Sequence, residues 1–370
     1  MRELKIAIVH DYHIHDGGGN VWLNAVHQIY PEAPVYMLFH DPEKTGEMGL
    51  DVRSTFLDKI PLLKKNHIYF LPLFPLAVRS IRLSGYDAVL TSSWAWSNSL
   101  KTEEDTCHIC YCHTPMRFAY DMREPHLRGK NQAVKFFSRI LFDLLKWWDL
   151  RTAGRPDHYI ANSEHVRERI KKCYNRDSTV IHPPVDTDRF KISKKEGDYY
   201  LLVSRLTPYK RADLAVEAFN RMGLPLKVAG DGPEYERLRR LARPNVEMIG
   251  HVPDEHLPGL YQGCKALVFP QLEDWGNTSL EAQSCGKPVI AYGMGGAAEH
   301  VVDGVTGVFF KEQTGDALAE AVRRFQNLDF DPDVIRNNAL QYSVGPFKEK
   351  LRSYVEEKTM DFKLFKKNQE

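Results

Sequence analysis

Long apolar runs are missing from this chain of 370 residues: the densest, 71–78, holds eight residues, and two of them are prolines. A membrane-crossing helix takes about 18 consecutive apolar residues, so none is expected. Cysteine is scarce, with six unevenly spaced residues, which excludes the disulfide framework of a small secreted domain. Neither sign of charge is in excess, since 50 Lys and Arg face 49 Asp and Glu for a net +1. A general nucleic-acid binder carries a basic excess, and that class is set aside. The opening Met1-Arg-Glu-Leu-Lys5 has no apolar leader and runs into a strand-like segment, the pattern expected of a cytoplasmic chain. Hydrophobic residues make up 43% and aromatics 11%, enough for ordinary cores and too much for a disordered chain. At about 150 residues per domain, the length predicts two domains or slightly more.

Apolar runs and glycine loops alternate along the chain. Residues 5–9 read as a buried strand that ends at His10-Asp11-Tyr12 and Gly17-Gly18-Gly19, followed by an amphipathic stretch over 21–29. Further strands are predicted at 86–90, 107–112 and 158–161, with a long helix over 133–150. The double proline Pro183-Pro184 suits an extended linker. Beyond it the pattern restarts with strands at 199–203, 226–229, 266–269 and 288–291 and a helix over 212–222. Strands alternating with helices imply an α/β, doubly wound architecture in two halves. The expected domains are 1–183, 184–345 and a C-terminal helix over 346–370 packing back on the first half.

Two segments carry chemistry. The first is Glu273-Asp-Trp-Gly276-Asn-Thr-Ser-Leu-Glu281, between a strand and a helix. Thr278 to Glu281 fits a capping box, with Thr278 at N-cap and Glu281 at N3, which explains Glu281 structurally but leaves Glu273 unexplained. A loop carboxylate and a helix-start carboxylate at the carboxyl edge of a sheet suit vicinal diols, each accepting two hydrogen bonds. The amides of Asn277, Thr278 and Ser279 are expected to offer donors to the same crevice. The second segment, Ser204-Arg205-Leu-Thr-Pro-Tyr-Lys210, also leaves a strand and enters a helix. Two cations there suit a diphosphate, against the plainer reading of solvated surface charge.

Glu273 and Glu281 stand in E-x7-E spacing. With Ser204-Arg205-Leu and Lys210, Gly230-Asp-Gly232, Asn245 to Gly250, His113-Thr-Pro-Met-Arg117, Ala161-Asn-Ser163, Pro183-Pro184-Val-Asp186 and Ala291 to Gly296, the chain resembles glycosyltransferase family 4 over nearly its whole length. Within it, the closest resemblance is to bacterial mannosyltransferases that use GDP-mannose to build surface polysaccharides. The resemblance implies a GT-B fold, two Rossmann-like domains facing a central cleft, and a retaining, metal-independent transfer of a hexose. The donor it favours is GDP-mannose over UDP-sugars; the acceptor is a saccharide or lipid-linked saccharide, and no cofactor takes part. Arg205 and Lys210 are then expected on the donor diphosphate, Glu273 on sugar hydroxyls and Glu281 on ribose. Asn277, Thr278 and Ser279 would support the sugar, while Ile249 and Gly250 lie against the base. His113 would meet the sugar, and Gly17 and Gly18 would let backbone approach phosphate and acceptor. One departure stands out: Gly19-Asn20-Val21 replaces the small residue, acid and arginine that usually follow the glycine pair. No metal is implied, in keeping with the lack of Asp-x-Asp at a strand end.

A nicotinamide dehydrogenase needs G-x-G-x-x-G, a spacing Gly17-Gly18-Gly19 lacks. A non-catalytic nucleotide or glycan scaffold sits poorly with the full set of Arg205, Lys210, Glu273 and Glu281. Cys107 and Cys110 point to opposite faces of a strand, only His108, Cys110 and Cys112 share one, and the cysteines read as buried thiols rather than a metal site. The stretch 53–82 mixes six basic residues and one acidic with apolar side chains. It either lies on an anionic membrane or packs on its own domain, and the two are compatible. Phe136, Phe137, Ile140, Leu141, Leu144, Leu145, Trp147 and Trp148 are expected in the core.

Overall fold

The computed structural model describes residues 4–14, 18–60, 62–127, 129, 131–193 and 197–369. The chain forms two compact units, Met1–Pro183 with Phe347–Glu370, and Pro184–Pro346.

The first unit is built on β1 (Ile6–His10), β2 (Val35–Met37), β3 (Val52–Ser54), β4 (Ala88–Ser93), β5 (Cys107–Cys112), β6 (His158–Ala161) and β7 (Thr179–Val180). They form one parallel sheet in the order β3-β2-β1-β4-β5-β6-β7. Every residue of β1, β4 and β5 is buried. Strands covered on both faces read as continuous apolar runs, which is why β1 was visible in the sequence. Residues 1–3 lie outside the described residues.

The second unit holds β8 (Tyr199–Val203), β9 (Leu226–Ala229), β10 (Val246–Gly250), β11 (Cys264–Phe269), β12 (Val289–Tyr292) and β13 (Gly307–Phe310). This sheet is also parallel, in the order β10-β9-β8-β11-β12-β13. Alternate residues of β8 feed opposite cores: Tyr200 and Leu202 join Phe219 and Val228, while Tyr199 and Leu201 join Tyr261 and Leu267. Both units are thus α/β and doubly wound. Strand order reverses between β1 and β4 in the first sheet, and between β8 and β11 in the second. Ligands of such sheets bind beyond the strand ends at that reversal.

The last helix, Val344–Lys367, buries Phe347, Leu351, Val355 and Thr359, spaced four apart on one face. Phe347 stands edge-on to Tyr111 of β5, with ring centroids 6.3 Å apart.

Helix Gln132–Thr152 departs from the sequence expectation. Leu145 is buried and Leu141 and Trp148 partly so, but Phe136, Phe137, Ile140, Leu144 and Trp147 are exposed. The helix is apolar on two sides, and periodicity alone does not tell which side turns inward. The stretch 53–82 is broken into short turns, Phe56–Lys59, Leu63–Asn66, His67–Leu73 and Phe74–Ser80. Pro72 lies inside one of them and Pro75 opens the next. Leu63, Leu71 and Phe74 enter the core, whereas Leu62, Ile68 and Tyr69 face water. Cys107, Cys110 and Cys112 are buried free thiols of β5, and burial pushes the Cys110 thiol up to about 12.

Leu351→Ala removes a fully buried side chain from the face that docks the last helix on the first unit. It is expected to lower stability by about 2–5 kcal/mol, read as the urea unfolding midpoint. An unchanged midpoint would show that the helix adds nothing to the unit.

Candidate active site

The second sheet brings its chemistry together at the β8/β11 reversal. Loop 204–211 leaves β8 and carries Arg205 and Lys210 before helix Ala212–Met222. Loop 270–276 leaves the neighbouring β11 and carries Glu273 before helix Asn277–Ser284. Lys210 Nζ lies 2.5 Å from Glu273 Oε1, both side chains only 17% exposed. Arg205 lies on the same loop with its side chain exposed, and its guanidinium makes no ion pair or hydrogen bond among the described residues.

Glycines press these loops into place. Gly230 has φ 132°, and a Cβ there would lie 1.9 Å from the Ser204 carbonyl oxygen. The turn after β9 therefore packs directly on the Arg205 loop; Leu206 donates its amide to Asp231 O at 2.8 Å. After β12, Gly296 donates its amide to Glu273 O at 2.9 Å. A Cβ on Gly295 would approach that same oxygen to 2.4 Å. Backbone packs against backbone on both sides of the ion pair.

Glu281 corrects the sequence reading. Helix Asn277–Ser284 starts from Gly276 at φ 106°, with no side-chain cap, so neither Thr278 at N-cap nor Glu281 at N3 holds. A capping box needs an extended N-cap residue, and the left-handed Gly276 takes that position. Glu281 instead accepts a hydrogen bond from Tyr261 Oη at 2.7 Å. Burial pushes its carboxyl up to about 6, with the Tyr261 bond and Arg189 pulling the other way. Ser279 is a second correction: its amide donates to Gly276 O at 3.1 Å, and its hydroxyl is buried beside His300 Nδ1 at 3.4 Å. Only Asn277 and Thr278 present amides without an acceptor among the described residues.

Ile249 and Gly250 end β10, where the pairing with β9 slips between Met248 and Gly250. The slip leaves Ile249 without a ladder partner, and Gly250 turns the chain at φ 82°. Both offer backbone rather than side-chain functional groups at the sheet edge.

His113 belongs to the first unit, one residue beyond β5. Its ring stacks on Trp94 with centroids 4.2 Å apart, and burial lowers its pKa to about 3, so the imidazole is neutral. Ser92 Oγ lies 2.8 Å from His113 Nε2 and 3.0 Å from His10 Nδ1. One hydroxyl proton serves two imidazoles, so Ser92 donates to one and accepts from the other. At the same β1/β4 reversal, Asp11 takes hydrogen bonds from the Trp94, Ala95, Trp96 and Ser97 amides and the Ser97 hydroxyl. Gly18 opens helix Gly18–Ile29, whereas Gly17 lies outside the described residues. Tyr261, Ser92, Trp94 and the backbone role of Gly295 and Gly296 went unread in the sequence. Gly293-Met-Gly-Gly296 was the one available signal, a glycine cluster straight after a strand.

Comparison with known proteins bears on both units. The family model "Glycosyltransferase Family 4" matches residues 17–189, and "Glycosyl transferases group 1" matches 184–342. Among solved structures, Anabaena HepE in complex with UDP and glucose superposes with a TM-score of 0.66 at 17% identity, over 96% of this chain and 100% of that one. Sucrose-phosphate synthase from Thermosynechococcus elongatus gives a TM-score of 0.69 at 17% identity, over 95% and 98%. Two doubly wound parallel sheets in this arrangement of strands place the fold in the GT-B class. The matches to both units then settle the lineage: the chain belongs to glycosyltransferase family 4. An uncharacterized glycosyltransferase of Methanocaldococcus jannaschii is 26% identical over 194 residues, 50% of this chain and 54% of that protein. A GDP-mannose-dependent alpha-(1-6)-phosphatidylinositol monomannoside mannosyltransferase of Mycolicibacterium smegmatis is 32% identical over 192 residues, 43% and 50%. The aligned part spans about half the length of these curated relatives.

A carboxyl raised by burial binds its proton more tightly folded than unfolded. The contribution of Glu281 to stability is therefore full below its ordinary value of 4.5 and lost as pH rises through about 6. Glu281→Gln, which cannot ionise, is expected to gain stability relative to the parent chain between those limits. Urea midpoints of both proteins across this window test it; a difference that does not change with pH would contradict the burial of this carboxyl.

Proposed function

We propose that this chain is a retaining, metal-independent glycosyltransferase that moves a hexosyl group from a nucleotide sugar to a saccharide or lipid-linked saccharide. The observation that carries this is the Lys210–Glu273 pair at the β8/β11 reversal, with Glu281 on the following helix. A nucleotide sugar brings an anion and hydroxyls to the same place. Lys210 and Arg205 meet the diphosphate, and Glu273 accepts from sugar hydroxyls. Glu281, ionised above about 6, accepts from the ribose, with Tyr261 orienting its other oxygen. The Asn277 and Thr278 amides at a helix start support the sugar, and the Ile249 and Gly250 backbone borders the base.

In the reaction, the bond between the sugar anomeric carbon and the diphosphate oxygen breaks, and the leaving group gains negative charge. Arg205 and Lys210 stabilise that charge as it develops, which is where electrostatic catalysis acts. The acceptor oxygen bonds to the same face of the anomeric carbon, and its proton passes to the leaving phosphate. Configuration is thereby retained. His113 of the first unit, neutral and held by Ser92, is the residue to which the family resemblance assigns a sugar hydroxyl. GDP-mannose is the favoured donor, supported by the sequence resemblance and by the name of the 32% identical mannosyltransferase.

Glu273→Ala is expected to cut transfer by about 100-fold or more with unchanged circular dichroism. Donor consumption is to be measured with GDP-mannose and with UDP-hexoses. Parental turnover in the variant would overturn the assignment of Glu273, and faster turnover of a UDP-hexose would move the donor.

A further inference from the structure

We propose that the outward face of helix Gln132–Thr152, together with the exposed apolar residues of segment 56–76, seats on an anionic lipid surface. Phe136, Phe137, Ile140, Leu144 and Trp147 recur at helical spacing on one stripe. Phe137 is 68% exposed, Leu144 61% and Trp147 57%. The opposite stripe, Phe142, Leu145, Asp149 and Thr152, is buried, so core packing accounts for one apolar side and not the other. An exposed apolar stripe of this kind marks an interaction site. Leu62, Ile68, Tyr69 and Leu76 form a second set of exposed apolar residues, and their neighbours Leu63, Leu71 and Phe74 share one core cluster with Leu145.

The charge around this surface selects its occupant. The chain as a whole is balanced at +1, yet 53–82 and 132–152 together hold ten Lys and Arg against three acids. The three acids are paired or buried, and three of the cations are paired too, Arg53 with Asp51, Lys64 with Asp58 and Arg139 with Glu124. Asp58 lies 3.2 Å from Lys64 Nζ and Asp143 2.7 Å from Arg123 Nη1. Asp149 is buried under Tyr120, Tyr174 and Asn98. Arg151 lies over the Trp147 ring at 4.6 Å, keeping its charge at the end of the apolar stripe. A second copy of the chain would set these cations against each other, and protein interfaces are depleted of Lys. Anionic headgroups complement them, with Trp147 and Tyr69 suited to the headgroup level. No helix among the described residues is long and apolar enough to cross a membrane, so helix Gln132–Thr152 lies along the surface. The inference rests on the proposed function only for its purpose, bringing the chain to a lipid-linked acceptor.

Co-sedimentation of the full chain with phosphatidylcholine vesicles, with and without phosphatidylglycerol, tests this. Binding is expected with phosphatidylglycerol only and is weakened by salt. The double variant Phe137→Asp with Leu144→Asp should bind at least about tenfold less, with thermal unfolding and nucleotide binding unchanged. Because both side chains are exposed, the variant keeps its core. No binding to anionic vesicles, or equal binding by the variant, overturns the proposal. So does a dimer in light scattering that the variant abolishes. Vesicle binding without sugar transfer would leave this surface standing and remove the proposed function instead.

Discussion

The candidate site of the second unit is organised around one ion pair, Lys210 with Glu273 at 2.5 Å. Neither residue is near the other in sequence. They meet because β8 and β11 are neighbours where strand order reverses, so the loops leaving them converge at one sheet edge. Close backbone packing holds the convergence. Gly230 lets the turn after β9 touch the Arg205 loop, and Gly295 lets the turn after β12 touch Glu273. A side chain at either place would push one member of the pair away from the other.

The first unit has the same topology and uses its reversal differently. There the buried carboxylate, Asp11, is taken up by four backbone amides and a hydroxyl of segment 94–97. It serves the loop that carries Trp94, on which His113 stacks. In the second unit the carboxylate faces a cation, and such a pair has something to offer both an anion and a hydroxyl. One sheet edge sets its carboxylate among backbone amides, and the other sets it against a cation.

Most of the fold was legible because fully buried strands announce themselves as apolar runs between glycine loops; β1, β5, β6, β8 and β9 fall where the sequence puts them. Strands β2, β3 and β7, of three residues or fewer, are too short for any period to register. The site residues were legible as a set, through the spacing of Glu273 and Glu281 and the cations after β8. Their local geometry was not. The capping box failed because Gly276 takes a left-handed conformation that no spacing rule reveals, and Tyr261 lies 20 residues from Glu281 with no local pattern to link them. The exposed stripe of helix Gln132–Thr152 was misread for a related reason: with both sides apolar, only the surrounding core decides which side is covered.

The central claim is that the β8/β11 reversal holds a nucleoside diphosphate through its cations. Calorimetric titration of the full chain with GDP and UDP, beside Lys210→Met, tests it most directly. Nucleotide should bind the parent chain, and the variant should bind at least about tenfold more weakly, since a charge-assisted bond to phosphate is lost. Equal affinity in the two proteins, or no heat with either nucleotide, would contradict the account.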